Sequence, residues 1–266
     1  MYPRIHIGPL EIPTFGLLVV AGVALGIWLA GRRASQYGIT KTQVSDAAVW
    51  AVIAGILGAR LVFIALEWDH YSQNLNELMT LRFQGLTSFG GLGFGALAVI
   101  LWCRRSGVPV LQFLDLAAPS FIVGHILGRV GCLLNGCCFG GACPPDLPWA
   151  ISVAGSPVPH HPAQIYDSLM NVVVLGVLLW LESRKVLRSG QLMAIMIALH
   201  GVARFIYEFW RAGTPEQVRS NLASSTYLPG LPITEAQAFA LLMVAMGVAM
   251  VVWFGRNRAL PQVATA

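Results

Sequence analysis

The chain has 266 residues, of which 56% are hydrophobic and 11% charged, whereas about a quarter of the residues in a soluble globular domain carry charge. That balance excludes a soluble domain and points to a membrane. The net charge of +5 does not imply a nucleic-acid partner, because the basic residues stand in short clusters beside apolar runs and form no polar face.

In chain order, the apolar runs predict spans at about 14 to 31, 46 to 66, 86 to 103, 110 to 135, 163 to 182, 191 to 210 and 236 to 254, each suited to a hydrocarbon core about 30 Å thick. The first is expected to stay in place: no basic stretch precedes it, and no small-residue cleavage motif leads into a soluble domain. The expected fold class is therefore an all-α integral membrane protein of about seven transmembrane helices, one polytopic domain over residues 1–266. With the N-terminus outside and the C-terminus cytoplasmic, Arg32, Arg33, Lys41, Arg104, Arg105, Arg184, Lys185, Arg188, Arg256 and Arg258 face inward, against Arg4, Arg82, Arg211 and Arg219 outside. This is the positive-inside asymmetry. The stretch 67–86, with Glu67, Trp68, Asp69 and Tyr71, reads as an outer-face cap, and 136–162, free of Lys and Arg, as an outer loop.

Arg60, Arg129 and Arg204 fall inside or at the end of apolar runs. A charge at the bilayer centre costs about 2.5 to 3.5 kcal/mol on insertion scales, so such residues face the bundle interior and mark a site or a structural ion pair. On the fourth span His125, Arg129 and Cys132 share a helical face with Asn135 further along it, beside the small residues Gly124, Gly128 and Gly131, which allow close approach. Near the end of the sixth, Arg204, Glu208 and Arg211 share another face, where Arg204 and Glu208 are placed to pair. A guanidinium fork matches phosphate oxygens, so two arginine sites toward outer helix ends suggest an anionic headgroup. Pro162 opens the fifth span, with His161 near its cap and Gln164 and Tyr166 in its first turns.

Cys132, Cys137, Cys138 and Cys143 crowd one short stretch. They lack the paired C-x-x-C spacing of zinc ribbons, so no metal and no other cofactor is expected. A disulfide from Cys143 to Cys137 or Cys138 would suit an oxidising outer face, though spacing alone does not assign one.

These blocks resemble the prolipoprotein diacylglyceryl transferase family along most of the chain. Gly128-Arg-Val-Gly-Cys-Leu-Leu-Asn-Gly136 is similar to the family's signature, as are Gly58-Ala-Arg-Leu61, Ser88-Phe-Gly-Gly-Leu92, His161-Pro-Ala-Gln-Ile-Tyr166 and Arg204-Phe-Ile-Tyr-Glu-Phe-Trp-Arg211 to its other blocks, all in order. Cys132 and Cys137 stand where many members carry Asn and Glu, which resembles a cysteine-bearing branch. Phe89 stands where a His is common, and Phe15 where a Tyr is.

The resemblance implies transfer of the diacylglyceryl group of phosphatidylglycerol to the lipobox cysteine thiol of a preprolipoprotein signal peptide, at the bacterial cytoplasmic (inner) membrane among its lipids. The expected catalytic residues are Arg129, Arg204, His125, His161 and Glu208: the arginines grip phosphate, Glu208 orients Arg204, and one of the histidines takes the thiol proton in the absence of the usual third-span His. Substrate binding is expected from Asn135, Arg60, Gly128, Gly131, Cys132, Gln164, Tyr166, Arg211, Gly90 and Gly91. Two rival readings are a thiol oxidoreductase using the cysteine cluster and a lipid or anion transporter without chemistry. No inverted repeat supports the transporter.

Overall fold

The computed structural model describes residues 4–7, 10–73, 87–153, 155–214, 216–217 and 225–257. It opens with an antiparallel ribbon, β1 (Arg4–Ile7) and β2 (Leu10–Pro13), in which Ile5 faces Ile12 and His6 faces Glu11. The helices follow: α1 (Thr14–Arg33), α2 (Lys41–Leu66), α3 (Trp68–Gln73), α4 (Ser88–Arg105), α5 (Val110–Asn135), α6 (Ala163–Ser183), α7 (Gln191–Ala212) and α8 (Glu235–Asn257). The expected spans map onto α1, α2 and α4 to α8, and the fourth coincides with α5.

Among the described residues, six helices are long and apolar enough to cross a membrane: α1 with its 3-10 extension, α2, α5, α6, α7 and α8. The protein is an all-helical membrane protein with this short ribbon at its start. α4 is not one of the six. Its 18 residues reach about 27 Å at 1.5 Å per residue, but four glycines thin its first half and Arg104 and Arg105 close it. Of the expected cap, α3 is described, whereas 74–86 lies outside the described residues.

The chain divides into two compact units, Met1–Leu29 with Leu114–Ala266, and Ala30–Phe113. In the second, α2 starts with a capping box in which Thr40 Oγ1 accepts from the Gln43 N–H and Gln43 returns the bond. α2 and α4 then pack so closely that a Cβ on Gly90 would lie 2.5 Å from the Gly58 carbonyl oxygen.

In the first unit, Ile122, Val174, Leu178, Leu192 and Ala203 make a buried core between α5, α6 and α7. The buried Asp115 of α5 accepts from the Gly190 and Met193 N–H groups at 2.6 and 2.8 Å. It thereby satisfies donors that the first turn of α7 leaves without an intrahelical partner. α7 and α8 meet through small residues, because a Cβ on Gly247 would lie 2.7 Å from both the Ala194 carbonyl oxygen and the Ala198 nitrogen. Outward faces carry exposed Val20, Leu169, Val173, Leu241 and Leu242, the apolar surface that lipid solvates in a spanning helix.

Candidate functional site in the first unit

α5 ends, α6 begins and α7 ends at one pole of the first unit, where side chains from all three helices meet. Asp167, in the second turn of α6 and 2% exposed, receives two groups from α5: His125 Nε2 at 3.1 Å and Arg129 Nε at 2.8 Å, both at Oδ2. Its other oxygen accepts from Asn171 Nδ2 at 2.7 Å, and Asn171 Oδ1 accepts in turn from His200 Nδ1 of α7 at 2.8 Å. His125 and His200 complete the ring of contacts edge to face, with centroids 4.7 Å apart. A buried carboxylate is tolerable only when paired and hydrogen-bonded, and Asp167 is both.

Glu208 is the second such carboxylate, with no exposed side-chain surface. Arg204 donates to its Oε2, while Ser225 Oγ at 2.8 Å and, at 3.4 Å, Thr234 Oγ1 and Arg211 Nη1 reach Oε1. The expected Arg204 to Glu208 pair is present. The two carboxylate centres converge on one ring, for Arg129 Cζ lies 5.5 Å and Arg204 Cζ 4.6 Å from the centroid of Tyr207, within cation–π range. Arg129, Arg204 and Arg211 thus face Asp167 and Glu208, three guanidiniums against two carboxylates. Arg129 Nη2 is buried without a hydrogen-bond partner among the described residues.

Past α5 the chain turns back on itself. Gly136, at φ 74°, donates to the Leu133 carbonyl at 3.1 Å, and the Cys137 N–H reaches the Cys132 carbonyl at 3.1 Å. This is a Schellman cap, whose left-handed residue is a glycine because a Cβ is penalised there. The cap folds Cys137 over Cys132, and Cys138, itself at φ 63°, closes the group, so the three sulfurs lie within 4.8 Å of one another. A hydrogen bond from Cys132 holds the Cys138 thiol down to about 5 against the opposing effect of burial, and Cys137, Arg129 and Arg211 add to the pull. Burial pushes the Cys137 thiol up. All five cysteines are free thiols, and Cys143 lies outside this group, so the disulfide considered from the sequence is not formed.

The other expected residues fall around this pole or in the second unit. Asn135 Nδ2 points to Cys137 Sγ at 3.6 Å, and Gln164 Nε2 donates to the Cys137 carbonyl at 2.6 Å. His161 Nδ1 lies 3.2 Å from Tyr166 Oη, which also accepts from Trp149 Nε1 at 2.8 Å. Burial and then the neighbouring His160 push the His161 imidazole down, which keeps it neutral near pH 7. A Cβ on Gly131 would meet Phe15 of α1 at 3.1 Å, whereas Gly128 has open space. In the second unit Arg60 stands over the rings of Tyr71 and Phe63 at 5.5 and 5.9 Å, and Gly91 faces the Gly55 carbonyl of α2.

Sequence reasoning missed Asp167, Asn171, His200 and Tyr207. The signal was present, since an Asp in an apolar run incurs the same kind of insertion penalty as the arginines that drew attention.

Fold and geometry define a multi-pass membrane protein with a buried cluster of arginines and carboxylates at one pole of its helices. A model of the prolipoprotein diacylglyceryl transferase family matches residues 4–253, and the chain belongs to that family. It is 33% identical to a phosphatidylglycerol–prolipoprotein diacylglyceryl transferase of Synechococcus elongatus, covering 97% of this chain and 89% of that protein. It is also 33% identical to the protein of the same name from Pseudomonas paraeruginosa, with 99% of each chain covered. The name of a 29% identical relative from Finegoldia magna agrees, over 89% of this chain and 90% of the other.

Proposed function

We propose that this chain transfers the diacylglyceryl group of phosphatidylglycerol to the lipobox cysteine of a preprolipoprotein, forming a thioether and releasing glycerol phosphate. The observation that carries the reading is the pair of guanidiniums, Arg129 and Arg204, held over one ring by two buried carboxylates, with Arg129 Nη2 buried and without a hydrogen-bond partner among the described residues, a donor matched to a phosphate oxygen. The reaction displaces a phosphate oxygen from a glycerol carbon, so charge grows on phosphate as the bond breaks. Preorganised guanidiniums in a dry site stabilise that growth without reorganising.

In this reading Arg129 and Arg204 grip the phosphate, Glu208 holds Arg204 in place, and Arg211 supports the same carboxylate. His125 takes the thiol proton. It is favoured over His161 because Asp167 ties it to Arg129, while His161 is engaged with Tyr166 and the outer loop. Gly128, with open space beside it, gives the lipid room, and Gly131, Asn135, Cys132, Gln164 and Tyr166 frame the site. Arg60, Gly90 and Gly91 are assigned to substrate binding on the family resemblance. The chain crosses the bacterial inner membrane seven times, α4 included, as one polytopic protein with its N-terminus outside and C-terminus cytoplasmic. The basic residues favour that orientation.

The test is direct. Purified protein in detergent is given phosphatidylglycerol and a lipobox peptide, and the diacylglyceryl adduct is sought by mass spectrometry. Arg129→Ala and Arg204→Ala are each expected to lose at least about 100-fold in rate, the scale of removing one preorganised donor. Inert wild-type protein, where an authentic transferase works, overturns the reading.

A further inference from the structure

Of the three sulfurs gathered by the Schellman cap, that of Cys132 only frames the site in the reading above, and those of Cys137 and Cys138 have no role in it. The Cys137 and Cys138 sulfurs are 3.7 Å apart and all three lie within 4.8 Å. Zinc–sulfur bonds of about 2.3 Å in a tetrahedron put neighbouring sulfurs about 3.8 Å apart, the spacing of the Cys137 and Cys138 pair, with Cys132 within reach of both. The C-x-x-C rule that sets a metal aside in the sequence assumes a ligand pair on a tight knuckle. Here the helix cap does the knuckle's work, and the resulting spacing is Cys-x4-Cys-Cys.

We propose that Cys132, Cys137 and Cys138 bind a thiophilic, redox-inert divalent cation of the zinc type, whose fourth coordination position takes the thiol of the substrate cysteine. The inference rests on the transferase reading, and three protein ligands with one open position is the arrangement of catalytic rather than structural zinc. Cys138 is exposed and so provides the open side. The group is held in place from outside: Gln164 Nε2 clamps the Cys137 carbonyl at 2.6 Å, and Asn135 Nδ2 aims at the Cys137 sulfur, a donor of the kind that orients metal ligands.

The protein thiols lose their protons to water as the cation binds. The substrate thiol joins as the fourth ligand and is ionised there, its proton passing through water to His125. That sulfur then forms a bond to the glycerol carbon of phosphatidylglycerol as the bond from that carbon to the phosphate oxygen breaks. The bonding pair goes to the oxygen, so thiolate and phosphodiester monoanion become a neutral thioether and a phosphomonoester dianion. The cation changes no oxidation state.

The full chain is purified in detergent under a phosphine reductant and loaded with Co(II). The expected result is one cobalt per chain with thiolate-to-cobalt absorption in the near ultraviolet. Cys132→Ser, Cys137→Ser and Cys138→Ser each lose it, while Cys103→Ser and Cys143→Ser keep it. Cys138→His, which retains a ligand, keeps the cobalt with shifted bands and guards against misfolding as the cause of loss. A cysteine-containing lipobox peptide then shifts the visible bands, and its serine analogue does not. Wild-type protein that takes up no cobalt overturns the site, and cobalt bands indifferent to the cysteine peptide overturn its role in activation. Adduct formation is measured separately by mass spectrometry. A cobalt site that responds to peptide in protein forming no adduct marks failure of the transferase reading, whereas adduct formed at full rate by metal-free protein marks failure of this proposal alone.

Discussion

Asp167 carries more of the site than any residue the sequence drew attention to, because both α5 groups lean on one of its oxygens. Asp167→Asn keeps the shape and removes the charge, leaving Arg129 buried without its counter-ion. Breaking one side of a buried pair costs about 3 to 5 kcal/mol, so the variant is expected to show a clearly lowered unfolding temperature and a loss of turnover beyond 100-fold, read by adduct mass spectrometry. His125→Ala is expected to lower the rate at neutral pH by about 100-fold or more, the usual scale for a general base. The loss should shrink as pH rises past about 8.5, where a free thiol ionises unaided; a pH profile parallel to wild type would remove His125 from that role. At this scale the sequence was legible where charge met apolarity on one helix, as with Arg204 and Glu208. It was illegible where partners came from different helices: no spacing along α5 tells that Asp167 of α6 lies beside Arg129, or that Tyr207 stands under two guanidiniums.

Helix limits followed the punctuation. α5 runs from the residue after Pro109 to the residue before Gly136, a stop and start readable from residue types alone. The ribbon β1–β2 was not foreseen, since four-residue strands leave little periodic signal. The cysteine group escaped for a related reason. Its geometry is a property of a helix cap, and Gly136 was read only as part of a family block. Gly136→Ala is therefore expected to strain the left-handed position and destabilise by about 1 kcal/mol, with the larger effect on the sulfur group, read as weakened cobalt uptake. Gly247→Ala tests a different packing device. The added methyl meets backbone atoms of α7 at 2.7 Å, and overpacking of this kind costs about 1 to 3 kcal/mol, measurable as a fall in thermal stability in detergent.

For the molecule as a whole, composition and charge placement favour one topology without reference to any site. The orientation proposed above predicts that a fluorescent protein fused after Ala266 matures in the cytoplasm, and that a phosphatase fused within the outer loop near Ser156 is active outside. The reverse pattern would overturn the orientation. The fate of α4 separates six crossings from seven: a reporter placed before it at Thr87 lies outside, opposite the C-terminus, if α4 spans, and on the C-terminal side if it does not.

The buried Glu208 carboxylate also bears on traffic through the membrane. It binds the end of α7 to Ser225 and to Thr234 at the threshold of α8, and below it the two helices touch backbone to backbone at Gly247 and Gly201. Parting them would cost a fully buried anion its Thr234 partner and tear open a small-residue contact at the same time. This seam is a weld rather than a door. In the proposed reaction a two-tailed lipid would then approach Arg129 along another flank, with α7 and α8 as a fixed wall.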